Sequence, residues 1–216
     1  MDNIISIVGA GGKTTLMFKT AEELRKNNKV LVTTTTKIYL PDRSQYDYIG
    51  LNIDEIAKLN KQKENGIYVY GESVTSENKV IGLSPDFLES ITKYFDYVII
   101  ESDGAKRKLI KGWNETEPVI INNTTFTFGV LNVKSLGMEI NDENVHRVHE
   151  FIKITKASMN EKTNINHLVS MVYNINGLFK NSKGRKILYI IGDNEELIAS
   201  IKKFNYNYID EIRCIK

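Results

Sequence analysis

A chain of 216 residues, 41% apolar and 26% charged, is long enough for one well-filled core. Its 29 basic and 27 acidic side chains nearly cancel, which removes any field-based case for nucleic acid or a membrane surface as partner. A single cysteine, Cys214, excludes an internal disulfide, and the lack of a signal peptide or of an apolar run of about 18 residues makes a soluble cytoplasmic protein the expectation.

Residues 3–8 read as a first strand, and a helix is expected from Thr14 to about Asn27, with Leu16, Met17, Ala21 and Leu24 on one stripe. Between them run Gly9, Ala10, Gly11, Gly12, Lys13, Thr14 and Thr15, the layout of a triphosphate cradle. In such a loop backbone N–H groups point at phosphate oxygens, and the helix N-terminus adds partial positive charge. Lys13 would reach the outer phosphates and the Thr14 hydroxyl would ligate Mg²⁺, with ATP the favoured nucleotide and the base otherwise open. A second strand follows at Lys29–Thr36, then a short helix around 54–63, a strand at 66–71 and a helix from Pro85 to Tyr94. Tyr97–Glu101 is short and apolar, which suits a buried central strand. Strands are expected at 118–121 and 126–131, helices at about 142–155 and 164–173, a strand at Lys186–Ile191, a helix at Glu195–Lys203 and a weak last strand at 206–213. Strands alternating with helices predict an α/β protein: a P-loop NTPase-like three-layer sandwich with a mainly parallel central sheet. One domain would span 1–216, with a helix-rich segment at about 141–180.

A triphosphate loop needs a second strand whose carboxylate holds the water shell of the magnesium ion. Glu101-Ser102-Asp103-Gly104 ends the strand at 97–101 and supplies two acids at the ligand-binding edge of a parallel sheet. Asp103 could hold Mg²⁺ while Glu101 orients the attacking group, or the reverse. Thr35, Thr36 and Lys37 end the second strand on the same edge and would face magnesium or substrate, although threonines are also simply good strand formers. Lys106, Arg107, Lys108 and Lys111 follow the two acids closely, a pattern suited to an anionic second substrate or, for Lys106 and Lys108, to a solvated loop. His146-Arg147-Val148-His149 lacks a third ligand nearby, so a structural or substrate-contacting role is expected rather than zinc. Cys214 has no partner histidine motif and reads as inert. No strand ends in the Asn-Lys-x-Asp pattern of guanine readers; Thr155-Lys156-Ala157-Ser158 lacks the acid, and Ile191-Gly192-Asp193 lacks the Asn and Lys.

The loop, in its short form Gly9-x-x-Gly12-Lys13-Thr14, resembles that of Mur-type ligases, because Ile7 stands where the longer form has its first glycine. Over most of the first 150 residues the chain resembles the YqeC family, accessory proteins of selenium-dependent molybdenum hydroxylases. The resemblance rests on Val8 to Thr15, the Thr33–Thr36 run and Glu101-Ser102-Asp103-Gly104-Ala105. It continues through Lys111 with Glu117-Pro118-Val119, then Leu136-Gly137 and Val145-His146-Arg147. It implies a nucleotide-dependent step in maturing such a hydroxylase, with Lys111, His146 and Arg147 as substrate residues. The hydroxylase or its molybdenum cofactor would be the partner. In the final third the family commonly ends a strand in Asn-Lys-x-Asp, of which Asp193 alone remains.

Two readings follow. In one, the protein is a Mg²⁺-dependent NTPase or phosphoryl or nucleotidyl transferase in which Lys13, Glu101 and Asp103 carry the chemistry. In the other, it is a non-catalytic assembly factor gated by a nucleotide or by the molybdenum cofactor, with segments 37–53 and 104–125 as switches.

Overall fold

The computed structural model describes residues 3–205 and 207–215. In chain order its elements are β1 (Asn3–Gly9), α1 (Lys13–Leu24), β2 (Lys29–Thr34), β3 (Lys37–Tyr39), β4 (Tyr48–Gly50), α2 (Ile53–Leu59), β5 (Gly66–Tyr70), β6 (Ser73–Val74), β7 (Lys79–Ile81) and α3 (Pro85–Ile91). They continue with β8 (Tyr97–Glu101), β9 (Ile110–Lys111), β10 (Phe126–Asn132), β11 (Val145–His146), α4 (Val148–Thr155), α5 (Ile165–Tyr173), β12 (Arg185–Ile191), α6 (Glu195–Phe204) and β13 (Glu211–Ile215).

The central sheet has eight strands in the order β13-β12-β10-β1-β8-β2-β5-β4. β8 pairs in parallel with both β1 and β2, so its side chains meet apolar layers on both faces, which is why Val98, Ile99 and Ile100 are buried without polar alternation. The α/β class and the mainly parallel sheet of a P-loop NTPase-like sandwich are therefore present. The register sets Ile7 and Thr34 level with Glu101, placing the carboxyl ends of β1, β2 and β8 at one edge.

The chain divides into two compact units. The first takes the described residues up to Ile7, Thr14–Gly104 and Val119–Phe126. Its core gathers Ile4, Leu31, Ile56, Tyr68, Tyr70, Leu88, Val98 and Ile100. The second takes Val8–Lys13, Ala105–Pro118 and the chain from Thr127 onward. There α5 packs against both α4 and α6.

Several elements differ from the sequence expectation. Residues 118–121 form no strand: Pro118 follows a cis peptide bond and has no N–H to give a ladder, and the Val119 N–H donates to the Ser102 carbonyl at 2.9 Å outside any ladder. The helix expected at about 142–155 starts only at Val148. Upstream, Asn141 Oδ1 accepts from the N–H groups of Glu143 and Asn144, and Arg147 takes a left-handed conformation (φ 57°) as the helix N-cap. Helix α1 stops at Leu24, where the Asn28 side chain donates to the Leu24 carbonyl at 2.9 Å. Helix α3 ends at Ile91, and a 3₁₀ turn carries the chain to Tyr94. The last strand begins at Glu211, and residue 206 of the expected span lies outside the described residues. A small antiparallel sheet of β3, β7 and β6 had no sequence counterpart.

Candidate functional site

The glycine loop lies in the second unit, and its shape is enforced by protein walls. Gly9 has φ 106° and Gly12 φ 142°, conformations that side chains with a Cβ rarely adopt. A Cβ on Gly9 would come within 2.4 Å of the Val130 carbonyl oxygen, and one on Gly12 within 2.2 Å of Ile191 Cδ1. Asn132 Nδ2 donates to the Gly11 carbonyl at 2.7 Å, and the Ala10 N–H reaches the Val130 carbonyl at 3.4 Å. Lys13 is 4% exposed, and its ammonium donates to the Gly9 carbonyl at 2.7 Å. Two loop carbonyls that would repel an anion thus already carry donors. Asn132 was missed by sequence reasoning. Its one signal is a polar residue closing an otherwise apolar strand.

The acidic strand end lies in the first unit. Thr14 Oγ1 donates to Glu101 Oε2 at 2.7 Å, from the first turn of α1 to the last residue of β8. Glu101 is 6% exposed and Asp103 fully buried, while Thr14 and Thr15 are exposed. Glu101 thus meets the first turn of α1 directly. A hydroxyl and a carboxylate are hard oxygen donors of the kind magnesium accepts. The threonine run fixes this end: Thr34 Oγ1 and the Thr35 N–H both donate to the Glu101 carbonyl, at 2.7 and 3.2 Å. Thr35 Oγ1 donates to the Val119 carbonyl at 2.9 Å, and the Thr36 N–H to Thr34 Oγ1 at 3.0 Å. Thr35 thus ties the end of β2 to the segment at Val119, and Thr36 turns back onto Thr34.

The second unit also gathers the basic residues. A Cβ on Gly11 would meet Leu109 Cα at 3.3 Å, which sets the basic segment directly beside the glycine loop. β9 and β11 pair in parallel with Lys111 opposite His146. Lys111 is fully buried, its ammonium 2.9 Å from Glu117 Oε2 and 5.4 Å from the Trp113 ring centroid. Arg147 grips the same carboxylate with two nitrogens, at 2.5 and 3.0 Å. Lys108 donates to the carbonyls of Asp142 and Val145. His146 is pushed down to about 4, first by burial and then by the charges of Lys111, Arg147, Lys106 and Lys108. His149 and Asp193 are exposed, the latter in the turn between β12 and α6, and Cys214 is an exposed free thiol. The structure brings Lys111 and Arg147 together on Glu117 and sets His146 opposite Lys111 on the β9–β11 ladder, a grouping the sequence could link only by resemblance.

Residues 5–149 match the family model described as "YqeC protein". The chain is 30% identical over 181 residues to the protein named "Uncharacterized protein YqeC" of Escherichia coli (strain K12), an alignment covering 82% of this chain and 70% of that one. No solved structure matches. Among the described residues no helix is long and apolar enough to cross a membrane.

Proposed function

This chain belongs to the YqeC family, and from that premise we propose that it binds a magnesium–nucleoside triphosphate, ATP in the first instance, and transfers a phosphoryl or nucleotidyl group to an anionic acceptor. The step would serve maturation of a selenium-dependent molybdenum hydroxylase, as the family resemblance implies. The observation that carries the reading is the 2.7 Å hydrogen bond from Thr14, next in the chain after the glycine loop and Lys13, to Glu101 at the end of a central parallel strand.

The residues divide the work. Loop N–H groups and the helix N-terminus would hold phosphate oxygens. Lys13, whose ammonium donates to the Gly9 carbonyl, would make a charge-assisted bond to an outer phosphate. Magnesium bound by Thr14 and, through water, Glu101 would neutralise charge on the outer phosphates. Asp103, fully buried, would position that strand end. The cations Lys106, Lys108 and Arg147 would attract the acceptor, and His146, neutral above about pH 4, would offer it a hydrogen-bonding ring.

Calorimetric titration with ATP, GTP and CTP, each with Mg²⁺, tests the reading. Magnesium-dependent binding of at least one nucleotide is expected, and it should vanish in a folded Lys13→Ala variant. Binding of none, or equal binding by the variant, would refute it.

A further inference from the structure

Along α1 the first unit holds a cavity of about 400 Å³, within the ordinary range of small-ligand sites. It opens at Thr14 and Thr15 and follows one helix face through Phe18 to Glu22. Ser44 and Gln45, from the 3₁₀ turn Arg43–Gln45, line it as well. None of these side chains beyond Thr15 has a place in the phosphate chemistry above.

We propose that this cavity seats the nucleoside of the triphosphate, and that it selects a base carrying an exocyclic amine beside a ring nitrogen, as adenine and cytosine do. The proposal rests on the nucleotide reading given above. Where Thr14 serves the metal on the outer phosphates, the inner phosphate falls at the next exposed residue of the helix, Thr15, and the nucleoside leaves from there. The cavity begins at these two residues.

Its walls have a complementary character. Phe18 gives an apolar surface for a ring system. Gln45 spends its side-chain oxygen on the Asp42 N–H, at 3.0 Å, which turns its amide nitrogen into the group able to donate to a ring nitrogen. Glu22 gives Oε2 to Arg25 at 2.7 Å, and its carboxylate has a second oxygen that can accept from an amine. A donor and an acceptor in the lining suit an amino-bearing base edge, and they oppose a uracil seated in the same place, which offers a carbonyl where the amine would be.

The test compares ATP, CTP, UTP and inorganic tripolyphosphate, each with Mg²⁺, on the full chain by calorimetry. The parent should bind ATP or CTP at least tenfold tighter than tripolyphosphate and than UTP, and whichever of the two binds tighter identifies the base. Ser44→Trp, an exposed turn position, should erase that advantage while leaving tripolyphosphate binding unchanged, and Glu22→Gln should remove the discrimination against UTP. Tripolyphosphate binding as tight as ATP and CTP, or nucleotide binding indifferent to Ser44→Trp, overturns the nucleoside seat and leaves the phosphate cradle standing. Failure of tripolyphosphate and all nucleotides to bind overturns both.

Discussion

Lys13 and Lys111 are both buried in the second unit, yet their surroundings differ in kind. Lys13 folds back onto the carbonyl of its own loop, a neutral acceptor, whereas Lys111 faces a carboxylate that Arg147 also grips. An ammonium at a glycine loop can add a charge-assisted bond to a bound phosphate. One set against a carboxylate in a buried pair cannot be removed without stranding that charge. Position in the fold therefore separates a cation at the candidate cradle from one that belongs to the Glu117 pair.

The comparison can be broken most forcefully at Glu117. Glu117→Gln leaves the fully buried Lys111 without a carboxylate and should cost about 3–5 kcal/mol of stability, the penalty typical of a broken buried pair, seen in denaturant unfolding. Phosphate binding should survive at temperatures where the variant stays folded. Lys13→Ala should act on the chemistry: it should lower turnover by about a hundredfold to a thousandfold, the usual loss of one preorganised group on a developing charge. If Lys13→Ala unfolds the protein and Glu117→Gln does not, the two lysines have been assigned the wrong way round.

Smaller effects sharpen the contrast. Gly12→Ala should cost about 1–3 kcal/mol, because φ 142° and the Ile191 side chain both oppose a Cβ; a melting curve unchanged from the parent would deny that the walls shape the loop. His146 should produce the mildest signal. Its folded-state pKa near 4 lies below the ordinary 6.5, so between those values the unfolded chain binds more protons and acid favours unfolding. Stability should therefore rise with pH across that window, and His146→Gln should flatten the slope. A proton titration of His146 near 6.5 would contradict the crowding of Lys106, Lys108, Lys111 and Arg147 around it.

The loop and β8 were legible in the sequence because each is a local pattern: glycines between an apolar strand and a helix, and an apolar run ending in an acid. Which acid the Thr14 hydroxyl reaches was not, since two acids two residues apart look alike until the first turn of α1 is set against the strand end at Glu101. Lys106, Lys108 and Lys111 likewise read as one basic run, although Lys111 alone is fully buried and paired with Glu117, a contact set by the β9–β11 register. The strand expected at 118–121 failed for a local reason, the missing N–H of Pro118, while Asn132 and Gln45 act through tertiary contacts that no spacing rule reports. The threonine run was visible, but not that the Thr33 and Thr34 hydroxyls donate to carbonyls of the neighbouring strands β5 and β8 and that of Thr35 to Val119.

The most direct test of the Thr14–Glu101 pair as the magnesium seat is ATP affinity of the parent and of Glu101→Gln, measured with Mg²⁺ and again with EDTA. The expected result is a loss of about tenfold or more for the variant with Mg²⁺ present, and equal affinities without it, since the carboxylate acts through the metal. An equal loss under both conditions, or no loss with Mg²⁺, would contradict the account.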